Sequence, residues 1–160
     1  MVSGPDFDRA FPELFATSYR VAFRVLGSAS EAEDIAQETL TRAFVRWQRV
    51  EDHAGAWVAT VAFRLAVDAG RRQNRHPSVE LRDASAVTGD WDQRMDLRAA
   101  LRRLPKRQQQ ALACRYLAGL PDEETARLLG ITVGSVKQHA ARGLAALRAV
   151  ALSTEDNCHA

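Results

Sequence analysis

The sequence from Asp122 to Arg148 places small and polar side chains along one side of a predicted helix. At about 100° per residue, Gly134, Gln138 and Ala141 share a face, and longer polar side chains border it. Lysine and arginine donate to phosphate oxygens, while glutamine and serine can hydrogen-bond to base edges. This chemistry suits contact with a DNA duplex. The residues that could make the contact are Thr132, Gly134, Ser135, Lys137, Gln138 and Arg142.

Two helices and a turn between them must position that face. Ala126 and Leu129 give the first helix an apolar side, and Gly130 can end it in a left-handed conformation. Thr132 can cap the second helix. The buried side of the second helix is predicted to consist of Val136, Ala140, Leu144 and Leu147. The arrangement has the form of a helix-turn-helix. Any αα-hairpin shares the pattern, so DNA binding and plain helix packing both stay open.

A second polar face is predicted on a helix of about 17 residues in the N-terminal half, which begins at a capping box formed by Ser30 and Glu33. The apolar side of this helix consists of Ala36, Leu40, Ala43 and Trp47. Another face, at spacings of three and four residues, consists of Asp34, Gln37, Glu38 and Thr41. Acidic and amide side chains suit a basic partner. Acids near a helix N-terminus are also explained by the helix dipole alone.

Two further helices are predicted around this one. Apolar residues at helical spacing indicate a first helix of roughly 18 residues that stops near Gly27. The polar stretch Gln48–Gly55 is interpreted as a loop, and Ala56–Gln73 as the third helix. The side of the third helix predicted to face inward consists of Trp57, Val61, Leu65 and Ala69, whereas Arg64 and Asp68 face outward.

Residues 75–93 contain proline, glycine, serine and threonine without an apolar period, which is typical of a linker. About 20 extended residues could span up to roughly 65 Å, enough for two small domains to occupy separate DNA elements. After the linker, Leu97, Leu101 and Leu104 indicate a short helix, and Pro105 begins another that runs to Gly119. The tail, residues 151–160, is predicted to be frayed.

The net charge of +2 is distributed unevenly, with −1 in residues 1–74, −2 in residues 75–93 and +5 in residues 94–160. A basic C-terminal part favours phosphate binding. The absence of an apolar run of 18 residues and of a secretory signal predicts a cytoplasmic protein without a membrane partner. Two cysteines, Cys114 and Cys158, argue against a disulfide framework. Scattered histidines and the lack of a phosphate-binding glycine loop argue against a metal, a cofactor or catalysis.

Three segments together resemble the extracytoplasmic-function (ECF) sigma factors of the sigma-70 family. The segment from Leu128 to Lys137, followed by Arg142, resembles the reader of the −35 promoter element. Glu31 to Thr39 is similar to the segment that binds the coiled coil of the largest catalytic subunit of bacterial RNA polymerase. Leu101 to Leu117 resembles the entrance to the −35 reader. The resemblance covers nearly everything from Phe7 to Ala149.

The resemblance implies an all-α protein with two small helical domains joined by a flexible linker. These are sigma region 2 at residues 7–74, a three-helix unit, and sigma region 4 at residues 94–150, the helix-turn-helix unit. It implies a transcription initiation factor that binds core RNA polymerase and promoter DNA without performing chemistry. An anti-sigma factor is a further partner that the family allows. The positions that would bind core polymerase are Asp34, Gln37, Glu38 and Thr41.

The resemblance also implies that the loop Val50–Ala54 and the helix after it hold an extruded base of the −10 element. Arginines can hold the single-stranded backbone and aromatic rings can stack on bases. The candidates are Trp47, Asp52, His53, Trp57, Arg64, Arg71 and Arg72. Both tryptophans also fit the apolar sides of their helices, and arginines at a helix C-terminus also fit the helix dipole.

The sequence departs from the family pattern at Pro121, where a serine or threonine cap is usual, and at Thr125, where a large aliphatic residue is usual. His139–Ala141 also departs, so a promoter sequence cannot be transferred. One alternative is a stand-alone helix-turn-helix regulator with a helical sensing or dimerisation domain, and another is an all-helical enzyme or adaptor. The sequence does not specify how the two domains are placed relative to each other. A single fused core of Glu31–Thr39 and Asp122–Arg148 would contradict the interpretation of two flexibly tethered units.

Overall fold

The computed structural model describes the backbone of residues 5–73 and 97–157 and the side chains of residues 6–69 and 97–153. Every regular element in these ranges is helical, which confirms the predicted all-α class. The N-terminal unit consists of α1 (Pro5–Leu26), α2 (Ala29–Val45), α3 (Trp47–Val50), a 3-10 turn (Glu51–His53) and α4 (Ala54–Gln73). The C-terminal unit consists of α5 (97–103), α6 (Lys106–Leu112), a π-helical segment (Ala113–Ala118), α7 (Asp122–Leu129) and α8 (Val133–Asn157). The predicted linker, residues 75–93, lies outside the described residues.

The start of α2 differs from the predicted capping box. Ser28 is the cap, and its hydroxyl accepts a hydrogen bond from the amide of Glu31 at 3.5 Å. Ser30 already lies in the first helical turn, so the box formed by Ser30 and Glu33 is wrong. Ser28 and Glu31 have the same spacing, and Gly27, with φ of 70°, ends α1 immediately before them. Helix α2 therefore begins two residues earlier than predicted.

The stretch Gln48–Gly55 is not the predicted loop but a continuous helical corner formed by α3, the 3-10 turn and the start of α4. Val50 and Ala54 are buried against Phe7 and Leu14, because the corner closes one end of the N-terminal core. Only parts of the segment are exposed, among them Asp52. An exposed loop from Val50 to Ala54 is therefore absent.

Helix α4 is buried around more of its circumference than its sequence predicted. Trp57, Leu65 and Ala69 are only half-buried, whereas the residues of α4 with at most 2% exposure are Ala56, Val58, Ala59, Ala62, Phe63 and Ala66. The helix packs against α1 and α2 on one side and against the C-terminal unit on the other. Contact with two neighbours explains why one apolar stripe did not describe it.

The C-terminal unit follows its local sequence signals, with one exception at its end. Gly130 has the predicted left-handed conformation, with φ of 64°, and the hydroxyl of Thr132 accepts from the amide of Ser135 at 3.1 Å. Pro121 begins α7 without a side-chain cap, and the hydroxyl of Thr125 bonds instead to the Pro121 carbonyl at 3.4 Å. The predicted fraying of the tail is wrong as far as Asn157, because α8 continues through a run that contains neither glycine nor proline.

The two units are docked and share one buried cluster. The cluster joins residues of α1, α2 and α4, such as Val21, Ile35 and Phe63, to residues of the C-terminal unit, such as Leu101 and Leu112. Partly buried residues of α7 and α8 pack against the same cluster. The expectation of independent cores is therefore not met in this arrangement.

Candidate nucleic-acid interface

The outward side of α8, the −35 face, presents the side chains that the sequence predicted. Gly134, Lys137, Gln138 and Arg142 are exposed, as is Thr132 at the helix start. A Cβ atom added to Gly134 would meet only the Thr132 hydroxyl, at 3.8 Å. Nothing in the fold therefore requires glycine at this position, and its small size leaves the helix backbone open to a ligand. The −35 face is a continuous exposed surface.

Two of the residues predicted to contact the −35 element, Thr132 and Ser135, form hydrogen bonds within the protein. The Thr132 and Ser135 hydroxyls lie 2.9 Å apart, and Thr132 also accepts from the Ser135 amide. Since these bonds cap α8, the polar side chains of this face that remain available to a ligand are those of Lys137, Gln138 and Arg142.

The opposite side of α8 is held rigidly beneath this face. Val136 and Ala140 are fully buried with Ala111 and Ala126. Gly143, which was not predicted to have a role, is buried where a Cβ atom would lie 2.8 Å from Leu112 Cδ1. A glycine four residues before Leu147 on the apolar side was the available signal. Its absent side chain lets α8 approach α6 closely, which sets the direction of the −35 face.

A second exposed face lies on α2, and we call Asp34, Gln37, Glu38 and Thr41 the polymerase face. All four side chains are exposed, as predicted. Glu38 is ion-paired with Arg42 at 2.7 Å, and the Thr41 hydroxyl donates to the Gln37 carbonyl at 2.9 Å.

Two exposed apolar residues, which were not predicted to have a role, continue the polymerase face by one turn. Phe44 and Val45 are 41% and 69% exposed. The Phe44 ring packs edge-on against Phe7, with 5.1 Å between ring centroids. Phe44 follows Thr41 by three residues, a spacing that places both on the same side of the helix and could have revealed the extension.

The candidates for the −10 element do not form one exposed surface. Trp47 is 7% exposed and its ring packs against Phe7 at 5.1 Å, so it belongs to the core and is not available for stacking. Asp52 is exposed and His53 is half-buried in the 3-10 turn. Arg71 and Arg72 lie in α4, but their side chains lie outside the described residues.

Of the remaining candidates, Arg64 is exposed and Trp57 is half-buried, on the side of α4 that is turned towards α6 and α7. They line a cavity of about 200 Å³ whose other wall is formed by Lys106, Gln109, Gln110 and Leu128. We call the side of α4 that carries Trp57, Thr60 and Arg64 the −10 face. In the docked arrangement α6 and α7 lie opposite this face, and Arg64 stays exposed.

The start of α4 makes a charged contact with α7. The Glu124 carboxylate accepts a hydrogen bond from the Ala56 amide at 3.2 Å. A Cβ atom on Gly55 would lie 2.6 Å from the same carboxylate oxygen, so the glycine leaves room for it. A carboxylate near a helix N-terminus is favoured by the helix dipole and by the amide bond together.

Cys114 is buried beside this contact. Its thiol lies 3.6 Å from the Ala56 carbonyl and 3.7 Å from the Thr60 hydroxyl. Burial raises the pKa of the Cys114 thiol, because the thiolate would lose its hydration. The thiol is therefore protonated and enclosed between the two units.

In the described ranges, His, Cys, Asp and Glu side chains form no group of three or more that could hold a metal ion. None of the described helices combines the length and the hydropathy that a bilayer span requires.

Known families match the two units separately. The model of the family described as Sigma-70 region 2 matches residues 16–76, and that described as Sigma-70, region 4 matches residues 94–147. The chain is 31% identical over 150 residues to the ECF RNA polymerase sigma factor SigL of Mycobacterium tuberculosis, which covers 86% of this chain and 84% of that protein. The fold and the matches define a member of the sigma-70 family. Within it, the chain belongs to the ECF RNA polymerase sigma factors, which confirms the predicted family.

Two further proteins are similar to this chain, one over only part of its own length and one at low sequence identity. The ECF RNA polymerase sigma factor SigE of Mycolicibacterium smegmatis is 30% identical over 156 residues, and the match covers 90% of this chain but only 61% of that protein. The sigma factor RpoE from Bartonella quintana, solved in complex with the anti-sigma factor NepR, aligns with a TM-score of 0.53 at 19% identity. That alignment covers 92% of this chain and 97% of the RpoE chain, and it shows a common fold.

Proposed function

We propose that this chain is an alternative sigma factor that brings core RNA polymerase to a set of promoters and helps to open the DNA there. It acts in the cytoplasm as a binding protein and not as an enzyme. The observation that carries the proposal is the exposed −35 face, which a capped helix-turn-helix holds on a unit separate from the polymerase face. We assign region 2 to residues 7–74 and region 4 to residues 94–150.

The polymerase face binds core RNA polymerase. Its exposed acids and amide can pair with a basic helix, and Asp34 and Gln37 lie at adjacent positions on the surface of α2. The exposed Phe44 and Val45 add apolar contact area at the edge of this surface. A mixed apolar and acidic surface of this kind supports a stable but dissociable protein interface.

The −35 face reads duplex DNA. Lys137 and Arg142 lie about one and a half turns apart on α8, so both can meet phosphates while Gln138 between them faces the base edges. The +5 charge of residues 94–160 supports this role, because phosphate neutralisation releases condensed counterions.

The −10 face and the 3-10 turn hold the displaced single strand. Trp57 supplies a stacking surface, Arg64 a cation, and Asp52 and His53 polar contacts beside them. Opening of the duplex is then a binding equilibrium, in which an extruded base exchanges stacking in DNA for contacts in the protein. No covalent step is needed.

Multiple-round transcription in vitro tests the proposal most simply. Core RNA polymerase from the same cell is incubated with fragments of its own genome, with and without this protein. Defined transcripts that require the protein and begin at common upstream sequences are expected. A protein that binds duplex fragments tightly by itself, and yields no transcripts with core polymerase, would instead be a stand-alone regulator.

A further inference from the structure

An apolar cavity lies where the end of α1 meets α5, the π-helical segment and the second half of α8. Its volume is about 150 Å³, and the described residues that line it belong to none of the three faces named above. Val25, Leu101 and Leu112 are buried and form its inner wall. Leu97 and Tyr116 are 47% and 46% exposed, so they border its open side. The cavity therefore has an apolar interior and an opening to solvent.

The size and lining of this cavity suit one aromatic ring. Leu144 and Leu147 of α8 add two more apolar side chains to the lining. An engineered cavity of about 150 Å³ with a similar lining stays dry and binds benzene. Because apolar walls offer water few hydrogen-bond partners, a ring that displaces the water gains free energy. A long acyl chain would instead project from the opening.

Two arginines give the same cavity a positive charge. Arg24 of α1 is exposed, and its Nη1 donates to the Tyr116 and Leu117 carbonyls at 2.9 and 2.8 Å. These bonds fix the guanidinium beside the opening, while its Nε and Nη2 make no hydrogen bond to the described part of the chain. Arg98 is 5% exposed and donates to carbonyls at the end of α1 at 3.0 and 3.1 Å. Since no acid is among the described lining residues, the site is complementary to an anion.

We propose that this cavity binds a small aromatic carboxylate. The ring lies among Leu101, Leu112 and Leu144, and the carboxylate accepts hydrogen bonds from Nε and Nη2 of Arg24. These two donors lie side by side on a planar guanidinium and match the two oxygens of a carboxylate. Because the lining comes from both units, the bound ligand also stabilises their docked position. The site needs neither DNA nor polymerase, so it is independent of the sigma-factor function proposed above.

Titration of the full-length chain with para-fluorobenzoate, followed by fluorine NMR, tests the site. Saturable binding with a Kd of about 1 mM or tighter is expected for one buried ring and one charged pair. The neutral probe para-fluorobenzyl alcohol has the same ring without the carboxylate. It should bind about tenfold more weakly, because it cannot form the charge-assisted hydrogen bonds to Arg24.

Two arginine variants separate ligand binding from the contact between the units. Arg24→Ala should weaken para-fluorobenzoate binding about tenfold and leave the alcohol within about twofold of the parent. Arg20→Ala is the matched control, because Arg20 is also an exposed arginine of α1 and donates to the Ala118 carbonyl at 2.8 Å. Arg20 does not line the cavity, so its loss should change the binding of either probe by less than about twofold. Equal weakening in both variants would overturn the proposed role of Arg24.

A third variant tests where the ring lies. Leu147→Phe places a larger side chain at the cavity and should abolish the binding of both probes, whereas circular dichroism should show the same helix content as in the parent. Retained binding in Leu147→Phe, or no saturable binding by the parent chain, would overturn the proposal. Tighter binding of octanoate than of para-fluorobenzoate would replace the aromatic acid by an aliphatic one. Failure of the transcription assay, by contrast, would count against the sigma-factor function and would leave these titrations intact.

Discussion

The −35 face and the −10 face are both candidates for DNA contact, yet they differ in how the chain builds them. The −35 face depends on residues close in sequence, since the Thr132 cap reaches only to Ser135. The −10 face is bordered by contacts between residues far apart in sequence, such as Ala56 with Glu124. The −35 face is exposed, whereas the −10 face, with Trp57 half-buried and Arg64 exposed, lies opposite α6 and α7. The comparison shows that neighbouring residues shape the −35 face, whereas contacts between distant segments shape the surroundings of the −10 face.

The largest expected effect comes from the buried arginine that joins the two units. Arg98→Ala leaves the Val25 and Leu26 carbonyls without their donor, and it should lower the free energy of unfolding by about 2–4 kcal/mol. Urea denaturation measures this loss. Arg103→Ala on the same helix removes an exposed arginine and should change stability by less than about 0.5 kcal/mol. Similar losses in both variants would remove the special role of Arg98.

Contact of the −35 face with phosphate is expected to have the next largest effect. Arg142→Ala should weaken the binding of the reconstituted holoenzyme to a promoter fragment by about tenfold and lower the salt slope by about one. Arg148→Ala is the control, because Arg148 is exposed on the same helix but turned about 120° away. An unaltered slope in Arg142→Ala would exclude Arg142 as a phosphate contact.

The polymerase face should give a smaller change. Asp34→Ala should reduce the affinity for core polymerase by about fivefold, as expected for one charged hydrogen bond at a partly wet interface. Affinity is measured by pull-down over a range of core concentrations. Glu13→Ala removes an exposed acid on α1, outside Glu31–Thr39, and should have no such effect. Retained affinity in Asp34→Ala would move the interface elsewhere on α2.

The local construction of the −35 face predicts a modest loss when its cap is removed. Thr132→Ala should destabilise the chain by about 1 kcal/mol, because the Ser135 amide loses its acceptor. Thr132→Ser keeps the hydroxyl and should restore most of that stability in the same denaturation experiment. If serine restores nothing, packing of the threonine methyl group and not the cap would explain the loss.

The raised pKa of the Cys114 thiol predicts a small dependence of stability on alkaline pH. The folded chain retains the thiol proton to higher pH than the unfolded chain, so stability is unaffected below the ordinary thiol pKa and falls as the pH rises through and above it. Cys114→Ala should lack this component. The difference between the two unfolding curves from about pH 8 to about pH 10 measures it, with a limit of about 1.4 kcal/mol per pH unit. Parallel curves would contradict the burial of the thiol.

The parts of the structure that the sequence predicted are those set by neighbouring residues. Gly130, Thr132 and the Val136–Ala140 side of α8 carry signals within one or two turns, and each lies as expected. The helix-turn-helix pattern alone left DNA binding and plain helix packing open, and the resemblance to the ECF sigma factors favoured DNA binding.

The missed features depend on contacts between distant segments. Arg98 has the sequence context of any helical arginine, and only the docked end of α1 makes it a buried one. Gln48–Gly55 is polar in sequence but is folded by the core beneath Val50 and Ala54. The side of α4 that packs against the C-terminal unit is buried because the two units dock. The spacing of apolar residues in α4 alone does not predict this burial.

Energy transfer between dyes on the two units tests the central claim most directly. Cysteines placed at the exposed positions Glu13 and Arg148, in a chain carrying Cys114→Ala and Cys158→Ser, report the distance between α1 and α8. We predict high transfer in the free protein and a clear fall when core RNA polymerase and promoter DNA are added. Transfer that stays high in a complex that initiates transcription would contradict the separation of the two units during initiation.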